Sequence, residues 1–407
     1  MRDEYNAETP LVMHVDLNSA FATIEQQARP LLRGYPVAVI NRRTEHTAIV
    51  TASYEAKAMG VKVGMKFREA ALLAPGLIGV ESDPVKYRFV YKKLMAILND
   101  YSPVTVMKSI DEGVIDFHCL VDRRPMTEIG YEIKQRLKDE VGQAMRCNVG
   151  IGTNRFLAKT AAGLHKPDGL DEINHMNLRA TLATLKLTDL TGIAEHNQAR
   201  LNGVGIDTPL QFLDSDPVTL QKIVFKSIVG QQWHQRLRGY EVDDRTSDMK
   251  RVGRQYVLEG RDLTRQQIMQ RLHHLCESVG SRLRSQHKVA RGVYIYAKTA
   301  DRQYWHASRM CQLPFYSNAT IYGLAEQLFY QAPGDIREIG IHCYELSDDN
   351  DSQLSLFGDV LAREHQLVEA LDTINRRYGD RTLHSADTLQ TGNFIKQKIP
   401  FGSTRYL

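Results

Sequence analysis

The sequence predicts an α+β protein built from several domains. Its 407 residues are too many for one ordinary hydrophobic core. Strand-like and helix-like segments alternate through residues 1–170, whereas residues 171–240 are helical and interrupted by glycines. After residue 250 the order becomes β-α-β-β-α-β, the split βαβ arrangement. We therefore expect a mixed sheet, then a helical region, then a split βαβ region.

The N-terminal elements are predicted from short apolar runs and from apolar positions at helical spacing. Two β-like runs, VTVMKSI and GVIDFH, flank Asp111 and Glu112 and indicate a hairpin with this pair at its tip. Gly60 ends a short helix. The remaining strands are predicted over 11–17, 36–40, 47–53 and 147–152, and the helices over 19–28, 54–60, 85–99, 127–145 and 154–164.

The C-terminal elements are predicted in the same way. An acidic segment, SDDNDS at 347–352, is typical of a flexible linker, and a tail follows it. Strands are predicted over 252–258, 290–298, 303–310 and 337–346, and helices over 264–285 and 318–331.

Composition excludes several classes of protein. No apolar run reaches the roughly 18 residues of a membrane span, and MRDEYNAETP lacks the apolar core of a signal peptide. The five cysteines are scattered without a CxxC pair, so we expect reduced thiols of a cytoplasmic protein. Between Lys250 and Glu345 there are 14 Lys/Arg against 8 Asp/Glu, on a chain of net charge +4. This basic segment fits a polyanionic partner and equally a solvated basic surface.

Three carboxylates are candidate metal ligands. Asp16 ends the first predicted strand, and Asp111 and Glu112 occupy the predicted hairpin tip. Side chains of adjacent residues can aim at one point in a turn, whereas on a regular strand they alternate. Carboxylate oxygens suit magnesium, which keeps coordination sites for substrate phosphates. Taken alone, however, an Asp-Glu pair is more often an ordinary polar turn.

Four motifs give these carboxylates a context. They are HVDLNSAFATIE (14–25), TASYEAKAMGVKVGM (51–65), SIDEGVIDF (109–117) and NVGIGTNRFLAKTAAGLHKPDGL (148–170). In this order and spacing the chain closely resembles the Y family of translesion DNA polymerases, over roughly residues 11–345. The resemblance implies a right-hand architecture. It consists of a palm (1–25 and 80–170), fingers (26–79), a helix-hairpin-helix thumb (171–240), a linker (241–249), a little finger (250–346) and a tail (347–407).

The resemblance also implies roles for individual residues. Phe21 matches the steric gate, whose ring leaves no room for a ribonucleotide 2′-OH. Lysine stands at position 57, where the family often has arginine. It keeps the positive charge but lacks the two parallel N–H donors with which a guanidinium binds phosphate. Ser19 and Ala20 stand where the family often has aromatics. Two Mg²⁺ ions are implied at Asp16, Asp111, Glu112 and the carbonyl of Leu17, and triphosphate contacts at Thr51, Tyr54, Lys57 and Lys159.

Contacts to DNA are expected in two regions. Glycines of the thumb segment 186–206 would let backbone N–H groups reach phosphates, although they serve equally well as helix caps. Basic residues of the little finger would contact template or primer phosphates. The glycines are Gly192, Gly203 and Gly205, and the basic residues are Arg251, Arg254, Arg291 and Lys298.

The tail carries a short docking motif. Gln353, Leu354, Ser355, Leu356 and Phe357 (QLSLF) resemble the peptide by which bacterial polymerases bind the sliding clamp. The segments ALDTINRRYGDRTLHSA and IPFGSTRYL resemble the C-terminal region of the polymerase V branch of the family, which implies accessory subunits of that type.

The expected activity is therefore error-prone, template-directed addition of dNTPs to a primer, without proofreading and in DNA damage tolerance. One alternative is a non-catalytic, clamp-binding adaptor of the same family, but such relatives lose the metal carboxylates that this chain keeps. A palm-type nucleotidyltransferase such as a cyclase would not explain the thumb glycines, the basic segment or the docking motif.

Overall fold

The computed structural model describes residues 4–121, 124–244, 249–260, 262–349 and 358–395, with the backbone alone for 358–365. These residues fall into two compact units, one from the N-terminus to 245 and one over 246–398. Helices and sheets occur in both units, so the predicted α+β class is confirmed. None of the described helices combines the length and apolar character needed to cross a membrane.

A five-stranded mixed sheet organises the first unit. Helices α4 (Pro84–Asn99) and α5 (Met126–Glu140) cover one face of it, and α6 (Arg155–Leu164) covers the other. All neighbouring strands are antiparallel except the last pair. In spatial order the strands are β5 (Val104–Met107), β6 (Glu112–Asp116), β1 (Val12–Leu17), β7 (Cys147–Gly152) and β8 (Leu170–Ile173).

Glycines on β7 allow α6 to lie unusually close to the sheet. A Cβ on Gly150 would fall 2.0 Å from the carbonyl oxygen of Ala158, and one on Gly152 would fall 2.6 Å from the amide nitrogen of the same residue. Asn154 begins the helix by accepting a hydrogen bond from the amide of Leu157 at 2.7 Å. The sequence GIGTN therefore fixes how α6 is placed over the strands that carry the carboxylates.

A smaller sheet and a helical region complete this unit. Helices α2 (Tyr54–Ala58) and α3 (Phe67–Leu73) share a small apolar cluster with the strands of the smaller sheet. Its strands, in spatial order, are β3 (Ile49–Ala52), β2 (Val37–Ile40) and β4 (Ile78–Glu81). The helical region contains α7 (Leu178–Ala183), α8 (Glu195–Asn202), α9 (Pro209–Leu213), α10 (Pro217–Thr219) and α11 (Val229–Leu237), and α1 (Ala20–Ala28) connects β1 to the smaller sheet.

The second unit confirms the β-α-β-β-α-β order. Its antiparallel sheet has the spatial order β11, β10, β12, β9, and both connecting helices pack on one face. The elements are β9 (Arg251–Val257), α12 (Arg265–Ser285), β10 (Lys288–Thr299), β11 (Tyr304–Phe315), α13 (Asn318–Phe329) and β12 (Ile336–Asp348). Helix α14 (Gly358–Tyr378) follows them.

Several expectations need correction. Strands β4 and β8 and helix α3 were not predicted; LDEI at β8, for example, has only two apolar residues and is no clear strand run. The helix predicted over 127–145 ends at Glu140. Glu112 is the first residue of β6, so only Asp111 lies in the turn. The predicted linker begins too early, since β12 continues to Asp348, whose carboxylate pairs with Lys288 at 2.6 Å.

Part of the predicted tail packs on α12. Arg284 donates two hydrogen bonds to Asp372, at 2.6 and 2.8 Å. Glu277 accepts a hydrogen bond from Arg381 at 2.5 Å. These ion pairs attach residues that lie beyond the predicted little finger to its longest helix.

Candidate active site

Two of the predicted metal ligands face each other across neighbouring strands. Asp16 on β1 pairs with Glu112 on β6 in the antiparallel register. His14 lies two residues before Asp16, and alternation places both on the sheet face that α6 covers. Register alone therefore brings the first and third predicted ligands together.

Asp111 lies in the turn before β6. Its carbonyl accepts a hydrogen bond from the amide of Leu17 at 2.9 Å, and its carboxylate accepts one from Ser109 Oγ at 2.5 Å. Burial raises the pKa of Asp111, and the charges of Asp16 and Glu112 raise it further. Crowded carboxylates of this kind are a chemical environment that favours a bound cation.

Glu112 is held by two donors at one oxygen. Its Oε2 accepts hydrogen bonds from Lys159 Nζ at 2.6 Å and from His14 Nε2 at 3.1 Å. Burial by itself would raise the pKa of Glu112, but these two donors outweigh it and hold the pKa at about 2. Glu112 is thus a firmly ionised carboxylate.

Asp16 pairs with a lysine that the sequence did not point to. Lys166 Nζ donates to Asp16 Oδ2. Within the described parts of the chain, no three His, Cys, Asp or Glu side chains are arranged to hold a metal ion. The ammonium groups of Lys166 and Lys159 instead neutralise two of the three carboxylates, Asp16 and Glu112. The donor set itself, three carboxylates and a backbone carbonyl, fits the preference of Mg²⁺ for oxygen.

Phe21 is fixed in place by Tyr87. The two rings are stacked with centroids 4.3 Å apart, and Phe21 is only 4% exposed. Ser19, just before α1, adopts a left-handed conformation with φ of 45°. The position that departs from the family pattern is therefore also the one where the chain turns from β1 into the helix that carries Phe21.

The predicted triphosphate contacts from α2 lie beside this turn. Lys57 Nζ donates to Ser19 Oγ at 2.7 Å and lies 4.8 Å from the ring centroid of Tyr54. Burial lowers the pKa of Lys57, and the charge of Lys166 lowers it further. Burial raises the pKa of Tyr54, as does the charge of Asp16. Thr51, on β3, lies just before α2.

A cavity of about 680 Å³ opens beside Glu112 within the first unit. Five Lys or Arg side chains line it, a charge that suits phosphate groups, whereas its aromatic side chains belong to the core of the helical region. Its lining includes His14, Lys108, Glu112, Arg155, Phe156, Lys159, Gly192, Arg200, Phe225, Trp233 and Arg236. Predicted thumb and catalytic residues therefore border one space.

The three predicted thumb glycines differ in conformation. Gly192 and Gly205 have φ of 99° and 81°, which only glycine adopts without strain, and they lie before and after α8. Gly203, in contrast, has a helical φ of −61°. Backbone conformation therefore requires glycine at two of the three positions.

The four basic residues predicted to bind DNA do not share one face. Arg254 lies on the helix-covered side of the sheet and donates to Ser278 on α12. Burial lowers its pKa to about 10. Arg251 and Arg291 are exposed, and Lys298 pairs with Glu338 at 3.1 Å. The clamp motif, Gln353 to Phe357, lies outside the described residues.

Comparison with known proteins gives a consistent result. The family described as "impB/mucB/samB family" matches residues 15–163, and "impB/mucB/samB family C-terminal domain" matches residues 249–356. A DNA polymerase IV of Pelotomaculum thermopropionicum is 31% identical over 95% of this chain and 97% of its own length. A DNA polymerase IV of Moorella thermoacetica is 32% identical, with 93% and 96% covered.

Solved structures show the same fold. A chimeric Y-family DNA polymerase composed of Dbh and Dpo4 segments superimposes with a TM-score of 0.69 at 24% identity, covering 82% of this chain and 98% of its own. An insertion ternary complex of Dbh DNA polymerase gives a TM-score of 0.59 at 24% identity, with the same shares covered.

Proposed function

The chain belongs to the impB/mucB/samB family of Y-family DNA polymerases, and on this premise we propose that it extends a DNA primer by template-directed, error-prone translesion synthesis. The observation that carries the proposal is the registered pair Asp16 and Glu112 with Asp111 in the adjoining turn. All three carboxylates are retained, which argues against a non-catalytic adaptor.

Asp16, Asp111, Glu112 and the carbonyl of Leu17 would hold two Mg²⁺ ions. Bound there, the ions would stabilise the attacking and leaving oxygens of an in-line phosphoryl transfer. His14 holds Glu112 through Oε2 alone, which leaves Oε1 available as a ligand.

The two lysines act as counter-ions that can change partners. In the free protein Lys159 neutralises Glu112 and Lys166 neutralises Asp16. With the carboxylates held by cations, the ammonium groups of Lys159 and Lys166 would be available to the triphosphate of the dNTP. Tyr54, Lys57 and Thr51 would supply further contacts. Charge neutralisation and positioning are the main requirements of phosphoryl transfer.

Phe21 selects deoxyribose over ribose. Its ring is buried and stacked on Tyr87, so it cannot swing away to admit a 2′-OH. The small side chains of Ser19 and Ala20 would leave more space beneath the nascent base pair, which suits distorted template bases.

Domain roles follow the family pattern. We assign palm, fingers and thumb to the first unit and the little finger to the second. Gly192, Gly205 and the basic wall of the cavity would contact the primer-template duplex, as would Arg251 and Arg291. The motif at 353–357 would dock on the sliding clamp, and the tail would bind accessory subunits of the polymerase V type.

Primer extension tests the proposal directly. We expect incorporation on an undamaged template with Mg²⁺, and continued synthesis across at least one template in a panel of lesions. We expect no removal of a mismatched primer end. A purified protein that extends neither template would refute it.

Clamp docking needs its own experiment. Replacing Leu356 and Phe357 with alanine should leave synthesis without the clamp unchanged and remove stimulation by the clamp. Equal stimulation of both proteins would exclude this motif.

A further inference from the structure

One lysine of the first unit is buried, which is rare for this residue type. Lys134 on α5 is only 7% exposed and lies on the side of the helix that packs against β7 and β8. Gly130, one turn earlier, allows this close packing, since a Cβ there would fall 2.6 Å from Leu170 Cδ1. Burying an ammonium group is costly unless oxygen atoms inside the protein replace its water.

The oxygens that surround Lys134 belong to the backbone at the point where β7 and β8 begin. Its Nζ donates to the carbonyl of Cys147, the first residue of β7, at 3.2 Å. It also donates to the carbonyls of Asp168 and Gly169, the two residues before β8, at 2.5 and 3.1 Å. The carboxylate of Asp168 lies 2.8 Å from the same nitrogen. One cation therefore joins two segments of the chain that are distant in sequence.

The second of these segments carries Lys166. We call residues 165–169, which connect α6 to β8, the lysine loop. Asp168 adopts a left-handed backbone conformation there, with φ of 62°, which costs free energy for a residue other than glycine. Gly169 lies so close to His165 that a Cβ on it would fall 2.2 Å from the carbonyl oxygen of that residue. A loop this tight keeps its shape only through contacts with the rest of the unit.

Two asparagines hold the lysine loop from the end of β1. Asn18, which directly follows β1, accepts a hydrogen bond from the amide of Asp168 at 2.8 Å. Its own Nδ2 donates to Asn148 Oδ1 at 2.8 Å, and Asn148 Nδ2 donates to the carbonyl of His165 at 3.1 Å. The loop is thus held by two sets of contacts, these asparagines and the ammonium group of Lys134.

Neutralising Asp168 does not by itself account for Lys134. The other carboxylate oxygen of Asp168 lies 3.4 Å from Arg146 Nε and 3.9 Å from Lys138 Nζ. This carboxylate would therefore keep cations beside it if Lys134 were replaced. What Lys134 adds is a set of hydrogen bonds that joins the backbone of the lysine loop to the first residue of β7.

From these contacts we propose that Lys134 is a positioning residue for nucleotide binding, which holds the lysine loop so that Lys166 is directed to the carboxylate site at Asp16. The inference rests on the proposed function, because the ligand concerned is the triphosphate of the dNTP. A cation that is already in place loses little conformational freedom when a phosphate binds, and this increases affinity. Without Lys134 the buried carbonyls lack their donor, so the loop rearranges and Lys166 must be ordered during binding.

Single-turnover incorporation at varied dNTP concentration tests this role, because it measures the Kd of the dNTP separately from the maximal rate. Lys134→Met keeps the apolar stem and removes the ammonium group. We expect the Kd to rise about tenfold, the size of one charge-assisted hydrogen bond, with the maximal rate nearly unchanged. Lys138→Met, one turn further along α5, removes a lysine near the same carboxylate and should leave both values unchanged. A lower maximal rate with an unchanged Kd would overturn the proposal.

A double variant shows whether Lys134 acts through Lys166. Lys166→Ala should raise the Kd of the dNTP by itself, and adding Lys134→Met to it should raise the Kd no further, because residues that act through one another are not additive. A further tenfold rise in the double variant would mean that Lys134 acts independently of Lys166, which is contrary to the proposal.

Amide hydrogen exchange of the full chain, followed by mass spectrometry, needs no catalysis. Peptides that contain the lysine loop should exchange faster in Lys134→Met than in the wild type or Lys138→Met, while peptides from the smaller sheet keep their rates. Wild-type exchange in the loop would overturn the proposal, and so would faster exchange throughout the first unit, which would make Lys134 a general stabiliser. A wild-type protein that extends no primer would refute the proposed function and the role in dNTP binding with it, whereas the exchange rates would still show whether Lys134 holds the loop.

Discussion

Replacing Lys159 with methionine tests whether this lysine is the counter-ion of Glu112 in the free protein. The two donors to Oε2 lower the pKa of Glu112 from 4.5 to about 2. That difference corresponds to roughly 3 kcal/mol at 1.36 kcal/mol per pKa unit. Because His14 shares the oxygen, loss of Lys159 should reduce the free energy of unfolding of the first unit by about 1.5 kcal/mol at pH 7.

The pH dependence has a definite sign. A carboxylate whose pKa is lowered by folding stabilises the protein above its unfolded pKa, here 4.5, and the stabilisation is lost as the pH falls toward 2. The difference in free energy of unfolding between wild type and Lys159→Met should therefore be largest at pH 7 and should shrink below pH 4.5. The pKa of Glu112 itself, followed by carboxyl ¹³C NMR, should rise in the variant.

Unfolding of the first unit in urea can be followed separately by tryptophan fluorescence. The chain has two tryptophans, Trp233 in the first unit and Trp305 in the second. A Trp305→Phe background leaves Trp233 fluorescence as the reporter. Lys92→Met, at an exposed position on α4, is the control and should change stability by less than about 0.5 kcal/mol. If Lys159→Met neither raises the pKa of Glu112 nor lowers the free energy of unfolding beyond this control, Lys159 is not the counter-ion of Glu112.

Three further predictions concern the surroundings of the site. Phe21→Leu should raise ribonucleotide incorporation in primer extension, and unchanged sugar discrimination would exclude the gate. Gly150→Ala should lower the free energy of unfolding by about 3 kcal/mol, since its Cβ would meet a backbone oxygen at 2.0 Å. The control Gly163→Ala has open space around its Cβ and should be tolerated in the same denaturation assay. Equal stability of the two variants would contradict this packing. Asp111→Asn should raise the melting temperature without divalent cations at pH 7, because folding raises the pKa of this carboxyl and ionisation therefore costs stability above that pKa. The increase in melting temperature should vanish near pH 3, where Asp111 is protonated in the folded and the unfolded protein alike. An increase that persisted at pH 3 would have another cause.

Much of the fold could be predicted from local patterns. Short apolar runs predicted most strands of the three described sheets, with β4 and β8 as the exceptions. Gly60, with φ of 91°, ends its short helix as expected. The β-α-β-β-α-β order could also be predicted, because each of its elements is long and has a clear apolar pattern. The three carboxylates could be singled out only through the four motifs around them and the family resemblance that these motifs carry, because an Asp-Glu pair by itself is an ordinary turn.

Other features depend on contacts distant in sequence. The pairing of Lys166 with Asp16 joins residues 150 positions apart, and a lysine in a loop gives no local signal of it. Strand β8 exists because β7 offers it a parallel partner. The docking of the tail on α12 rests on ion pairs such as Arg284 with Asp372, which look like ordinary surface charges in the sequence. Long-range partners of this kind are set by tertiary packing.

The packing of Tyr296 on β10 against Gly340 on β12 illustrates the same limit. Tyr296 and Gly340 are 44 positions apart in the numbering, and neither residue is unusual on a strand. Only the register of β10 against β12 shows that the glycine makes room for the ring. The sequence predicts the basic residues of this region but gives no sign of the tyrosine ring that packs over the glycine.

The central claim is that Asp16, Asp111 and Glu112 form a polymerase centre. Its most direct test is primer extension by Asp111→Ala and Glu112→Ala with Mg²⁺, together with their affinity for the same primer-template DNA. We predict that extension is lost and DNA binding persists, while Asp116→Ala, at the far end of β6, still extends the primer. Extension by either Asp111→Ala or Glu112→Ala at the wild-type rate would contradict the claim.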